Sequence, residues 1–394
     1  MQPAPLSRSQ EDASPLSPIS VMLSGAASRH YDIVVRAGLL QSLGPLCQPV
    51  LLADARILIL TDAQVAERYL SLATQTLQAS GFEVVPCIIP AGEGSKTLAQ
   101  AQKVYELLLQ SGFTRKDAIL GLGGGVVGDL SGYCASTYHR GMALIHVPTT
   151  LVAQVDSAIG GKTAVNFDRV KNIVGTFYQP LAVFSDPVLL ESLPPRELAA
   201  GMAEVIKYGL IEASCLAENV ADGADGYEGD FFGWLLNHTE KGTLRQHFPE
   251  MIRRCAAIKA AVVMQDELET KGLRFFLNLG HTFGHAYESL SQYGLLHGEA
   301  VAIGMVKAVR LSIQLGLIDP ALEAQLLALY QPWELPAQPP STMTFEPAAL
   351  LQKMRQDKKN RDARIRLILP VKQAGQVVVR DDIPDAQILA LLAE

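Results

Sequence analysis

Between Ile57 and Gly125, short apolar runs of strand length alternate with stretches at helical spacing, and this alternation constrains the fold more than any other feature. Ile57-Leu-Ile-Leu-Thr61 is a continuous apolar run ending at Asp62, as in a strand covered on both faces. Residues 63–80 read as a helix, Glu83–Ile89 as the next strand and Leu98–Gln110 as the next helix. Ala118-Ile-Leu120 is a strand that runs straight into Gly121-Leu-Gly-Gly-Gly125. The alternation predicts a parallel, Rossmann-like sheet with helices on both faces and ligands at the carboxyl ends of its strands. From about residue 189 the character changes. Residues 198–211, 248–269, 281–290, 299–315 and 320–330 are amphipathic helical segments. A Pro-rich stretch, 332–347, interrupts them, and 364–369 reads as a short late strand. The expected organisation is a disordered tail over 1–18, an α/β nucleotide-binding domain over 19–187 and a mainly α-helical domain over 188–394. A ligand site is expected in the cleft between the two domains.

Bulk properties exclude several classes. A length of 394 residues with 48% hydrophobic and 19% charged content describes a globular chain with ample core. A net charge of −7 argues against nucleic-acid binding, while leaving room for a locally basic pocket. No apolar run approaches the roughly 20 residues that span a bilayer, so no membrane partner is expected. Residues 1–18 are rich in Pro, Ser and Gln and lack the apolar core of a secretory signal. The five cysteines, Cys47, Cys87, Cys134, Cys215 and Cys255, are scattered without a C-x-x-C. They read as free thiols in a reducing compartment, and the cytoplasm is the expected location.

Four stretches carry the chemistry. Gly123-Gly-Gly125-Val-Val-Gly128-Asp129 follows a strand and opens a helix, which aims bare backbone N–H groups at a phosphate. The acidic residue that completes a dinucleotide fingerprint about 20 positions later is missing, so a tight packing turn is the alternative. Next, Arg140, Lys162 and Lys171 are set among glycines and small hydroxyl residues, with Gly160-Gly161 directly before Lys162. A lysine beside a glycine turn holds phosphate as a point charge. Glu204 lies on the apolar side of its helix among Met202, Ala203, Val205 and Ile206. A buried carboxylate needs a partner, either a metal or Lys207. Finally, His281, His285 and His297 are three of only eight histidines. The first two share a helical face, and His297 sits beyond Gly294 at the expected start of the next helix. Imidazoles with a carboxylate suit a catalytic zinc, which takes three protein ligands and keeps one open position. Gly280 and Gly284 in the same stretch suggest close backbone approach or a ligand.

Taken together, these motifs closely resemble 3-dehydroquinate synthase within the sugar phosphate cyclase superfamily. The resemblance runs from about residue 30 to 370. It is carried by Gly123-Gly-Gly-Val-Val-Gly-Asp129, Pro148-Thr-Thr150, Asp156-Ser-Ala-Ile-Gly-Gly-Lys162, Lys171-Asn172, Gly201-Met-Ala-Glu204-Val-Ile-Lys207, Asn278-Leu-Gly-His-Thr-Phe-Gly-His285 and Leu296-His-Gly-Glu299. It implies conversion of 3-deoxy-D-arabino-heptulosonate 7-phosphate to 3-dehydroquinate and phosphate, a step of the shikimate pathway towards aromatic amino acids. The implied reaction is oxidation, β-elimination of phosphate, reduction, ring opening and an intramolecular aldol closure. It uses NAD and a divalent metal, normally zinc, with cobalt able to replace it.

The resemblance also implies roles by position. Glu204, His281 and His297 become the metal ligands, and His285 becomes a substrate contact, which spacing alone does not tell. Asp156, Lys162, Asn172, Lys207, Lys259, Arg274, Asn278 and His285 form the substrate set, with Lys358 favoured over Lys359 as a further member. Arg140 matches an arginine that reaches the neighbouring subunit's site, which implies a homodimer. Asp62, Glu93, Lys96, Gly124, Gly125, Asp129, Thr149 and Thr150 form the NAD set, with Lys171 near it. Three rivals are a cyclase acting on sedoheptulose 7-phosphate, a metal-dependent alcohol dehydrogenase of similar build, and a non-catalytic NAD- or zinc-binding regulator.

Overall fold

The computed structural model describes residues 17–23, 29–168, 170–216, 229–240, 242–292, 294–356 and 364–394. The expected tail lies outside the described residues up to position 16, and so does Lys358. Strands β1 (Ile19–Leu23) and β2 (Arg29–Val35) come first, followed by the short helix α1 (Leu43–Cys47) and β3 (Ile57–Asp62). Helix α2 (Ala63–Val65) passes through a π-helical turn, Ala66–Leu70, into α3 (Ser71–Ala79). Then come β4 (Val84–Ile89), α4 (Leu98–Gln110), β5 (Ala118–Gly123), α5 (Gly125–Thr137) and β6 (Ala143–Pro148). A hairpin, β7 (Lys162–Phe167) with β8 (Val170–Phe177), precedes the last strand of the large sheet, β9 (Ala182–Ser185).

These strands form a seven-stranded sheet in the order β1-β2-β9-β6-β5-β3-β4, parallel except that β1 runs antiparallel to β2. Alternation along β3 supplies two cores. Ile57 and Ile59 pack with Leu39, Leu43 and Leu77 on one face, and Leu58 and Leu60 pack with Val104, Leu108 and Leu130 on the other. Strand β5 runs three residues beyond the expected Leu120, so the glycine run begins inside the sheet. The chain leaves β3 toward β4 on one side and leaves β5 toward β6 on the other. The direction of winding therefore reverses between β3 and β5, the crevice where such sheets bind ligands.

The second half is built of helices α6 (Pro195–Leu216), α7 (Phe231–Glu240), α8 (Phe248–Gln265), α9 (His281–Leu290), α10 (His297–Gln314), α11 (Ala321–Tyr330), α12 (Pro347–Arg355) and α13 (Asp385–Ala393). A small antiparallel pair, β10 (Leu367–Pro370) with β11 (Val377–Arg380), lies among them. Helix α8 stops four residues short of the expected Glu269. The buried Asp266 accepts there from the N–H groups of Thr270 and Lys271, at 2.8 and 2.9 Å, and bends the chain toward Arg274. Val21, Leu23, Tyr31, Ile33 and Val35 of β1 and β2 share a core with Met202 of α6 and Ile252 of α8. The sheet and the helices are thus joined by apolar packing. Among the described residues no helix is long and apolar enough to cross a membrane.

Candidate active site and metal centre

Three helices converge on one carboxylate. Where α10 begins, a Cβ on Gly298 would lie 2.0 Å from the Ala200 carbonyl oxygen, so only glycine lets α10 start against α6. A Cβ on Gly284 would lie 2.9 Å from the Ala300 oxygen, so α9 is likewise pressed onto α10. The glycines around the histidines therefore serve helix approach. They bring His281 Nε2 to 3.6 Å and His297 Nε2 to 3.4 Å from Glu204 Oε1. One ligand atom from each of these three residues lies within 4.8 Å of the others. His285 is adjacent, its ring centroid 5.4 Å from that of His281 and 5.8 Å from that of His297, but it is not a member of the group.

The donor chemistry fits a divalent metal. Glu204 is 1% exposed, and neither carboxylate oxygen has a hydrogen bond of good geometry, although the Lys207 ammonium lies against Oε2. His281 Nδ1 faces the Leu279 carbonyl at 3.1 Å, which can only accept, so Nε2 keeps its lone pair. His297 Nδ1 faces Oε2 of Glu288 at 3.1 Å, which keeps a proton on Nδ1 and leaves Nε2 as the ligating atom of the neutral ring. Burial would raise the Glu204 carboxyl, but Lys207 and His297 hold it down at about 2. Burial would lower the His297 imidazole, but Glu204 and Glu288 raise it to about 9.

A cluster of cations lies beside this triad. Lys207 and Lys259 both donate to Asp156, the former at 3.1 Å to Oδ2, the latter to Oδ1 and, at 2.6 Å, to the main-chain oxygen. Burial acts to raise the Asp156 carboxyl, yet the two lysines hold it far below the usual range. Burial also pulls Lys259 down to about 8 against the pull of Asp156. Arg274 is buried and gives Nη2 to the Gly160 oxygen at 3.0 Å, while its Nε has no hydrogen bond. A buried guanidinium with an unused donor suits an anionic guest. Asn278 closes the same turn, its Nδ2 on the Arg274 oxygen at 3.1 Å.

The hairpin carries the remaining candidates. Lys162 opens β7 and is more than half exposed, paired at 2.8 Å with Glu269. Asn172, at a left-handed φ of 54°, gives its N–H to Asn166 Oδ1 at 3.0 Å. Asn166 in turn gives Nδ2 to Glu93 Oε1 at 2.8 Å. The β7–β8 register is broken at Asn166, which bridges to Thr97 instead, so the bulge ties the hairpin to the loop after β4. Sequence reasoning missed Asn166, because a bulge leaves no compositional mark in Ala164-Val-Asn-Phe167.

The nucleotide candidates gather where the winding reverses. Asp62 ends β3 and accepts from the N–H groups of Gln64 and Val65. Gly124 stands between β5 and α5 and Gly125 opens α5; a Cβ on Gly124 would lie 2.9 Å from Thr150 Cγ2. Thr149 follows β6 and gives its N–H to Gly123 at 3.0 Å. Lys96 joins Asp129 at 2.8 Å and Glu93 at 3.4 Å. Lys171 reaches Glu288 on α9 at 2.8 Å. Arg140 is not brought to this site. It is exposed and follows α5, near the start of β6 at the opposite end of the sheet.

An α/β sheet with a switch-point crevice, joined to helices that bear a carboxylate–histidine group able to hold a metal, is an architecture shared with solved synthases that bind NAD+ and a divalent metal. A structure of 2-epi-5-epi-valiolone synthase from Streptomyces hygroscopicus subsp. jinggangensis 5008, with NAD+ and Zn2+ bound, superposes with a TM-score of 0.80 at 29% identity. The match covers 94% of this chain and 98% of that one. A 2-deoxy-scyllo-inosose synthase complexed with carbaglucose-6-phosphate, NAD+ and Co2+ follows at 0.79 and 26% identity, covering 95% and 98%. Within this class the family is narrower. The models of the 3-dehydroquinate synthase N-terminal and C-terminal regions match residues 86–200 and 201–360. A 3-dehydroquinate synthase of Desulforamulus reducens is 42% identical over 372 residues, 93% of this chain and 98% of the relative. The chain belongs to the 3-dehydroquinate synthase family.

Proposed function

We propose that this chain converts 3-deoxy-D-arabino-heptulosonate 7-phosphate to 3-dehydroquinate and inorganic phosphate, as a carbon–oxygen lyase that closes a carbocycle. One observation carries the choice of chemistry: the buried Lys207 lies against Glu204 of the Glu204–His281–His297 group and shares Asp156 with a second buried cation, Lys259, while Arg274 is buried with an unused donor. A substrate with both a carboxylate and a phosphate needs such cations. A simple alcohol does not, which counts against the dehydrogenase reading.

In this reading Glu204, His281 and His297 would hold zinc, or cobalt in its place, which would supply Lewis-acid polarisation of the reacting oxygen, and bound NAD would supply the reversible hydride transfer. Asp62, Glu93, Lys96, Gly124, Gly125, Asp129, Thr149 and Thr150 would hold NAD, with Lys171 nearby. Asp156, held ionised by Lys207 and Lys259, orients those two ammonium groups toward the sugar. Arg274 and Asn278 meet its anionic groups, Lys162 and Asn172 approach from the hairpin, and His285, next to the metal ligands, moves a proton. Lys358, which lies outside the described residues, is the further substrate contact in this reading. Arg140, far from its own site, serves the site of a second copy, which makes the protein a homodimer. The α/β part up to Pro187 holds the nucleotide and the helical part from residue 188 holds metal and most substrate contacts. The cytoplasm fits five buried free cysteines.

The test is phosphate release from 3-deoxy-D-arabino-heptulosonate 7-phosphate, with and without chelator, beside sedoheptulose 7-phosphate. Chelator-sensitive release from the first sugar only is expected. Release from the second would reassign the substrate, and NAD reduction by simple alcohols without phosphate release would overturn the reading.

A further inference from the structure

Glu288 lies where the histidine cluster meets the hairpin, and the reading above gives it no part. It sits on α9, two turns after His281, and is 9% exposed. Its two oxygens serve different partners. Oε2 faces His297 Nδ1 at 3.1 Å, and Oε1 accepts from Lys171 Nζ at 2.8 Å. The carboxylate can only accept, so Nδ1 carries a proton, and in the neutral ring that binds a metal the lone pair sits on Nε2. Nε2 is the atom 3.4 Å from Glu204 Oε1. With only water at Nδ1, the ring would divide between two tautomers and turn. A carboxylate behind a ligating imidazole fixes tautomer and orientation and increases ligand basicity.

The other oxygen extends the connection. Lys171 belongs to β8 and lies 117 positions from Glu288 in sequence. One carboxylate therefore joins a histidine of the helical half to a lysine of the sheet half.

We infer that Glu288 is a positioning residue: it holds His297 as a ligand through Nε2 and couples that ligand to Lys171, so that metal affinity depends on the hairpin lysine. The inference rests on the reading of Glu204, His281 and His297 as metal ligands.

The test uses the full-length protein. Zinc affinity is measured by competition with a chromophoric chelator, and the visible spectrum of the cobalt-substituted protein reports ligand geometry. Glu288→Ala is expected to weaken zinc binding about 10- to 100-fold and to change the cobalt spectrum. Glu288→Gln, whose amide oxygen still accepts from Nδ1, recovers most of the loss. Lys171→Met shifts zinc affinity by more than about twofold in the native background and has no effect beside Glu288→Ala. Native zinc affinity and an unchanged cobalt spectrum in Glu288→Ala would overturn the inference. So would equal losses in the Ala and Gln variants with an equally lowered melting temperature of the metal-free protein, which marks a packing defect. A Lys171→Met effect of the same size in both backgrounds would remove the coupling. A native protein that binds no zinc would sink the metal reading itself, whereas one that binds zinc and ignores Glu288→Ala would sink only this inference.

Discussion

Lys207 follows Glu204 by three residues on α6 and is fully buried, with its ammonium against that carboxylate and 3.1 Å from Oδ2 of Asp156. Ion pair and metal group are thus alternatives only on paper, because Glu204 takes part in both. Removing one member of a buried charge set costs about 3–5 kcal/mol, since the remaining charges lose their counter-ion. Lys207→Met is therefore expected to destabilise the metal-free protein by about that amount. Zinc should recover part of the loss by giving Glu204 a cation. Urea unfolding with chelator and with excess zinc measures both, and an unchanged midpoint in chelator would show that Lys207 neutralises nothing.

Glu204→Gln keeps the side-chain volume and removes the ligand charge. The variant is expected to purify folded, with native circular dichroism, but without stoichiometric zinc and without phosphate-releasing activity. Metal content by mass spectrometry decides the matter. Full occupancy in this variant would remove Glu204 from the ligand group.

Local pattern made some parts of this molecule legible and left others hidden. The run Ile57-Leu-Ile-Leu-Thr61 announces a strand covered on both faces, and β3 is one, with alternate residues in two cores. Helix α9 matches its expected bounds because His281 to Leu290 has a clear apolar face between Gly280 and Ser291. The hairpin β7–β8 was invisible as strand, since Lys171-Asn-Ile-Val-Gly-Thr has weak alternation and its residues are mostly exposed. At the metal centre, residue type pointed to histidines and a buried carboxylate. Helical spacing could not separate His281 from His285, because both project from one face of α9. The difference is set by α6, which passes beside the first. Glu288 was missed for the same reason, as both its partners lie in other elements and one is 117 positions away.

Glu212 predicts a pH response away from the metal centre. It is buried on α6, and its Oε2 accepts from the Phe231 N–H at 2.6 Å, at the start of α7. Burial pushes its carboxyl from the ordinary 4.5 up to about 7, against the backbone hydrogen bonds of Phe231 and Asp230 and the charge of Arg254. A carboxyl raised in the folded state binds its proton more tightly there than in the unfolded chain. Its stabilising contribution is thus complete below 4.5 and is lost as pH rises through about 7. Glu212→Gln cannot titrate. Relative to native protein it is expected to gain about 3 kcal/mol in unfolding free energy across that window, by the conversion of about 1.36 kcal/mol per pKa unit. A difference that stays flat with pH would mean that the Glu212 carboxyl titrates alike in the folded and unfolded chain.

The ion pair of Lys162 with Glu269, at 2.8 Å, occupies a hairpin cation that is more than half exposed. Lys162 also follows the two glycines that suited it to phosphate in the sequence. With Lys162 in its proposed role as a substrate contact, Glu269 competes with the sugar phosphate for that ammonium. An exposed pair of this kind is worth about 0.2–1 kcal/mol. Glu269→Gln is accordingly expected to lower KM for the sugar phosphate by up to about fivefold, with kcat nearly unchanged. Lys162→Met removes a charged hydrogen bond worth about 1.5–3 kcal/mol, so kcat/KM should fall by about 10- to 150-fold. In the double variant the effect of Glu269→Gln should vanish, because nothing remains to release. Steady-state kinetics at several salt concentrations tests this directly, as added salt should weaken the pair and shrink the gain from Glu269→Gln. A Glu269→Gln benefit that persists without Lys162 would place that glutamate against another substrate contact and break the proposed competition.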